Sequence, residues 1–360
     1  MNKVDEPGTL ATVRSKVTRR WWHRVLTILP LLILGVVLTR LDLPHLWSLI
    51  SQARWLLVLA ALPIGLLVVT SGAMRYRVLA QQAGLNMPSL RLSVTEYWRS
   101  LALGLVAPGS LGSDVYRVLA AVRRTGRALP AARAVVTEKV VALLACAAMA
   151  MAALPVAVPA GMRLWGHDVR WLLLGLCCAL LLLVWTAPWL AQWLQKTELL
   201  RRPRAALQTW THRLVLQASA GRAISPPAAS ESTPALGRLA WFHALAWSGA
   251  ALALSALQAQ VFFLALEVPV PMAVNFLVAP LLFITLALPL SVGGLGVREL
   301  AFITWYSACG VPAESALVVS TFSLASQLLS HGLGLTRLGG KWHRSDPALS
   351  AADEAPARRM

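Results

Sequence analysis

The sequence predicts an all-α polytopic membrane protein of about eight transmembrane helices, arranged as two pseudo-repeated halves that each hold one broken or re-entrant element. Three observations predict it. Hydrophobic residues make up 57% of the 360, charged residues only 13%, and the mean hydropathy is +0.63, a composition outside the soluble range. Several apolar runs approach the roughly 20 residues needed to cross a hydrocarbon core of about 30 Å. The basic residues are also sorted: 27 of the 33 Lys and Arg fall on one side of the topology and four (Arg40, Arg54, Arg163, Arg170) on the other, with Lys139 and Arg298 at span edges. That is the positive-inside pattern of a cell inner (cytoplasmic) membrane protein with both termini cytoplasmic. Orientation therefore accounts for the net charge of +18, and no nucleic-acid partner is expected.

In chain order, residues 1–24 read as a cytoplasmic basic arm that ends in the interfacial pair Trp21 and Trp22. Residues 25–190 form the first membrane half. Its first span, Val25 to Thr39, is expected as a retained signal-anchor, and a short outside link leads to the second, Trp55 to Gly72. The basic residues Arg75 and Arg77 at its exit read as orientation anchors. A mixed stretch then leads to a re-entrant element near residues 100–117. Its apolar part, Leu101 to Ala107, is too short to span, and breakers and charge close it. Spans three (Ala134 to Val158) and four (Trp171 to Trp189) complete this half. Residues 191–238, with SPPAASESTP, read as a cytoplasmic linker.

The second membrane half covers residues 239–338. Spans five (Leu239 to Leu266) and six (Met272 to Leu288) are separated by the outside turn EVPVP. The broken element 289–299 follows, then a short seventh crossing, Ala301 to Cys309, an eighth span, Pro312 to Leu335, and a cytoplasmic tail, 339–360.

The two breaks carry the chemistry. The first reads APGSLGSDVYR and the second LPLSVGGLGVRE. Each has a proline, a serine, a glycine, and an acid and an arginine close together. Pro108, Gly109 and Gly112, and Pro289, Gly293, Gly294 and Gly296, are the expected structural hinges, because proline removes a donor and glycine reaches backbone conformations that a helix interior does not use. Paired charge beside broken backbone within an apolar region marks a site lined by protein or water. Asp114, Arg117, Glu138, Lys139, Arg298 and Glu299 are the candidate substrate-binding residues. Helix ends freed by such breaks suit anionic groups, and an arginine fork holds a phosphate or carboxylate bidentately. A plainer alternative is that the glycines permit close helix packing and that Arg298 pairs with Glu299 or Asp114 only to neutralise charge.

At these residues the chain resembles the transmembrane domain of lysylphosphatidylglycerol synthases and the flippase-like membrane proteins related to it. The resemblance rests on Pro108 to Arg117, on the pair Glu138-Lys139 and on Pro289 to Glu299, and covers roughly Val25 to Leu338. The family pattern usually has a glycine at the position of Ser113 and an arginine at that of Lys139. About two dozen polar residues follow the eighth span, too few for the aminoacyl-transferase domain of the full-length synthases, so a stand-alone member is expected. The resemblance implies lipid handling and gives no support for lysine transfer.

His243 and His331 fall in apolar spans, and His331 shares a helical face with Gln327. The cysteines Cys146, Cys177, Cys178 and Cys309 lack metal-ligand spacing. No catalytic residue, metal or cofactor is assigned. The function expected first is a flippase-like transporter of an anionic or polar-headed lipid, with membrane lipids as partners. The alternatives are an accessory scaffold working with a lipid-synthesising enzyme, and an integral-membrane headgroup transferase.

Overall fold

The computed structural model describes residues 42–157 and 237–336, apart from 88, 105–109, 289–290 and 292–293, together with 163–164, 167–168 and scattered positions at 35, 39 and between 171 and 182. The expected basic arm, linker and tail, and most of the first and fourth spans, lie outside the described residues. So do the hinge candidates Pro108, Gly109, Pro289 and Gly293.

Nine helices are present among the described residues. They are α1 (Leu43–Ser51), α2 (Trp55–Gln82), α3 (Leu90–Gly104), α4 (Leu111–Thr125), α5 (Ala128–Ala157), α6 (Arg238–Ala265), α7 (Met272–Ala287), α8 (Val297–Ser307) and α9 (Ala313–Thr336). One minimal antiparallel pair, β1 (Arg163–Leu164) with β2 (His167–Asp168), accompanies them. Helices α2, α5 and α6 have 28, 30 and 28 residues and are apolar enough to cross a membrane; at 1.5 Å per residue each exceeds about 40 Å. The protein is an all-α polytopic membrane protein.

The axis of the bundle is α2 packed antiparallel on α6. At one end Arg54 N–H donates to the Ala265 carbonyl (2.8 Å) and the Arg54 side chain pairs with Glu267 at 2.6 Å. At the other end Gly237 lies beside the side chain of Gln82. Small residues set the close approach: Ala61, Ala244, Ser248 and Ala256 are fully buried, as expected where helices associate by packing rather than by hydrophobic transfer. Gln258 of α6 ties three helices, its Nε2 donating to the Ala61 carbonyl of α2 (2.9 Å) and to Ser326 Oγ of α9 (2.8 Å).

Two short helical pairs complete the wall. Helices α3 and α4, of 15 residues each, pack together through the ion pair Glu96–Arg124 at 2.6 Å. Helices α7 and α8, of 16 and 11 residues, are related by a turn in which Gly294 and Gly296 have φ of 79° and 74°. L-residues avoid that region and glycine does not. At about 16 Å, α8 falls well short of a hydrocarbon core.

The largest buried cluster lies at the Arg54–Glu267 end and is built on Phe262, Phe263, Leu277, Val278, Phe302 and Tyr306. Phe263 and Tyr306 meet edge-on with centroids 4.8 Å apart. The Tyr306 hydroxyl donates to Asn275 Oδ1 (2.8 Å), Asn275 Nδ2 to Gln260 Oε1 (2.6 Å), and Gln260 Nε2 to the Val270 carbonyl (3.1 Å). This relay satisfies polar groups that would be costly if left unpaired in an apolar interior, and it locks α8 onto α6 and α7.

The structure changes three expectations about local elements. The second span does not stop at Gly72: α2 continues to Gln82, so Arg75 lies inside a helix and is buried, and is no orientation anchor. Gly112 is the second residue of α4 rather than a hinge; in a first turn its N–H lacks an intrahelical partner in any case. Arg117 is also buried, so it and Arg75 drop out of the surface charge that reports orientation.

A charged cavity as the candidate functional site

Helices α2 to α9 enclose a cavity of about 370 Å³ whose polar wall lies toward the Gln82 end and whose apolar floor is the Phe262–Phe302–Tyr306 cluster. One face of α2 supplies Gly65, Val68, Val69, Gly72 and Arg75, a helical spacing that aims Arg75 inward. Helix α9 supplies a polar stripe, Ser323, Ser326, Gln327, Ser330 and His331.

The buried carboxylate of Glu138 on α5, 1% exposed, is the centre of one charged cluster. Its Oε1 accepts from Arg75 Nη2 (2.8 Å) and from the Tyr97 hydroxyl (3.3 Å). Its Oε2 accepts from Arg117 Nη1. Arg117 also pairs with Asp114 one turn before it on α4, and its guanidinium lies between two aromatic rings, 5.1 Å from the Tyr76 centroid and 5.0 Å from that of Tyr97. Such stacking adds a favourable electrostatic term for a desolvated cation. Lys139 closes the cluster: Nζ donates to Asp114 Oδ1 (3.1 Å) and to Ser110 Oγ (3.0 Å). Ser110, the N-cap position of α4, gives its hydroxyl to Asp114 Oδ2 at 3.0 Å. Four sequence-predicted residues, Asp114, Arg117, Glu138 and Lys139, thus form one ion-pair network joining α4 and α5, with α2 contributing Arg75.

Arg298 faces the same cavity from α8 but forms no ion pair with a carboxylate among the described residues. Its Nη2 donates to Gln327 Oε1 of α9, while Nε and Nη1 have no acceptor among the described residues. Glu299 does not turn toward it. That carboxylate accepts from the Gly296 N–H at 2.6 Å, capping its own helix start, and is absent from the cavity wall. The expected pairing of Arg298 with Glu299 or Asp114 is therefore not made. The two arginines of the sequence breaks face one chamber, but among the described residues only Arg117 is directly paired with carboxylates.

The profile of the lysylphosphatidylglycerol synthase TM region matches residues 21–331, nearly the whole chain. The chain belongs to this family. It is accordingly a membrane protein of a family linked to lipid handling. No curated protein matches the sequence. Ser113 packs against Gly104, where an added Cβ would come 3.4 Å from the Ser113 Cβ. Lys139 makes two point contacts where an arginine would make a fork.

Sequence reasoning missed Arg75, Tyr97, Ser248 and Gln258 in this family member's cavity. The signal for Arg75 is its register with Gly65 and Gly72 on one face of α2. His331 does face the cavity, whereas His243 is exposed beside Phe242.

Proposed function

We propose that the protein is a flippase-like lipid handler of the cell inner membrane, which admits the polar headgroup of an anionic or polar-headed lipid into the cavity while the tails stay in the bilayer. The observation that carries this reading is a single chamber, walled by apolar helices, that holds four cationic side chains and one carboxylate at its polar end. Buried charge in such a position belongs to a substrate path by default. Short paired helices that stop within the membrane are the means by which transporters bring helix ends and charge to a central site. In this reading α3–α4 is a re-entrant pair, α7–α8 its counterpart in the second half, and both termini are cytoplasmic, so the cavity opens toward the cytoplasmic leaflet. The stacked, neutralised Arg117 cluster holds the chamber open, and Arg298 receives the headgroup.

The test is reconstitution into liposomes carrying fluorescent phospholipid or polyprenyl-phosphate lipid in one leaflet, with transbilayer movement followed by dithionite quenching. Movement above protein-free liposomes that falls at least tenfold with Arg298→Ala is the expected result. No movement of any lipid, with specific capture of a lipid-synthesising enzyme, would establish the scaffold reading instead. Headgroup turnover without movement would establish a transferase.

A further inference from the structure

Charges on the cavity wall divide into those already committed and one that is not. Glu138 is the sole carboxylate among the described residues lining the cavity, and both of its oxygens are taken, by Arg75, Tyr97 and Arg117. Asp114 behind it accepts from Arg117, Lys139 and Ser110. Glu299 faces its own helix start. No carboxylate on this wall is left to receive an ammonium group.

Arg298 is the opposite case. It is 5% exposed, and of the five N–H donors of a guanidinium, those on Nε and Nη1 have no acceptor among the described residues. Its position is held rather than loose, since Gln327 fixes Nη2. Gly294 lies against it: a Cβ there would be in ordinary contact, 3.8 Å from Nη2 and 3.9 Å from Nε, and the φ of 79° at that residue keeps the position to glycine. His331, one turn beyond Gln327 on the same face, also has a buried ring nitrogen, Nδ1, without a partner among the described residues. A desolvated cation with no carboxylate in hydrogen-bond contact is costly, and an anion docking there offsets that cost.

We propose that Arg298 is the receptor for one anionic group, a phosphodiester, and that the wall selects against headgroups that carry an ammonium. The family name describes a lysylated phospholipid, whose headgroup carries amines. This member's cavity is built instead for the lipid without them. The proposal rests on the headgroup-chamber reading and narrows it to a charge class.

Binding is measured on the full chain in detergent, by native mass spectrometry and by ligand-induced change in tryptophan fluorescence. The probes are phosphatidylglycerol, its lysyl ester, and inorganic phosphate. Phosphatidylglycerol is expected to bind at least tenfold more tightly than the lysyl ester. Arg298→Gln is expected to lose at least tenfold for phosphatidylglycerol and to close the gap between the two lipids, with Arg298→Lys intermediate. A wild type that binds the lysyl ester equally well or better overturns the charge-class proposal and leaves lipid handling standing. Undiminished phosphatidylglycerol binding by a folded Arg298→Gln, checked by circular dichroism, overturns the assignment to Arg298. Binding of phosphate with neither lipid bound overturns both this proposal and the lipid reading. If Arg298→Gln does not fold, Arg298→Lys decides: it keeps the charge but loses the guanidinium N–H donors, so unchanged affinity overturns the assignment to Arg298.

Discussion

Replacing Glu138 by glutamine removes one negative charge from between two buried guanidiniums at nearly constant volume. The side chains of Arg75 and Arg117 are 8% and 4% exposed and that of Glu138 1%, so solvent screening gives little relief. Arg117 keeps Asp114, which is itself only 17% exposed, but among the described residues Arg75 retains Ser248 alone, at 3.5 Å. Breaking a buried pair by removing one partner costs about 3–5 kcal/mol, because the other charge stays buried. At about 2.1 cal/mol/K of unfolding entropy per residue, a chain of this size loses about 1.3 °C per kcal/mol, and Tm should fall by roughly 4–7 °C. Thermal unfolding in detergent, followed by circular dichroism, measures this. The cycle with Arg75→Met isolates the pair, and a favourable coupling of about 1 kcal/mol or more is expected. A Glu138→Gln variant that melts within 2 °C of wild type with no coupling to Arg75 would refute the account of the cluster as an interacting unit.

Two further substitutions test how the cluster and the bundle are built. At Gly72 an added Cβ would come 2.7 Å from the Tyr97 hydroxyl, whereas at Gly249 nothing lies within 4 Å. Gly72→Ala should therefore cost about 1–3 kcal/mol by overpacking and displace the phenol from Glu138. Gly249→Ala should instead be neutral or stabilising by up to about 1 kcal/mol through helix propensity, and melting curves of the two alanine variants separate the cases. The ion pair Arg54–Glu267 is 2.6 Å long, but its side chains are 63% and 62% exposed. Its double-mutant coupling should lie within about 0–1 kcal/mol, well below that of Arg75–Glu138, and a coupling as large as the buried one would contradict the contrast drawn between them.

Much of the architecture is legible because apolar length and helical periodicity are local properties. The fifth and sixth expected spans, Leu239 to Leu266 and Met272 to Leu288, fall within a residue or two of helices Arg238–Ala265 and Met272–Ala287. The second span expected from the sequence is too short because hydropathy scores Arg75 as a boundary. Burial beside Glu138 makes it a helix interior instead, and that partner lies 63 residues away. The same local logic misplaced Gly112: a glycine reads as a breaker wherever it stands, although in the first turn of α4 it breaks nothing.

Composition and the sorting of Lys and Arg determined, by themselves, that this is a polytopic helical membrane protein, and the two broken motifs determined where charge enters the apolar region. These follow from residue type and spacing alone. What only the tertiary structure decided is which charges cancel. Arg117 and Arg298 look equivalent in the sequence, each with an acid close by in the chain. Folding gives Arg117 two carboxylates and an aromatic cradle, and turns the neighbour of Arg298 away to cap a helix. A salt bridge is a matter of ångströms between side chains on different elements, and short-range spacing along the chain does not specify it.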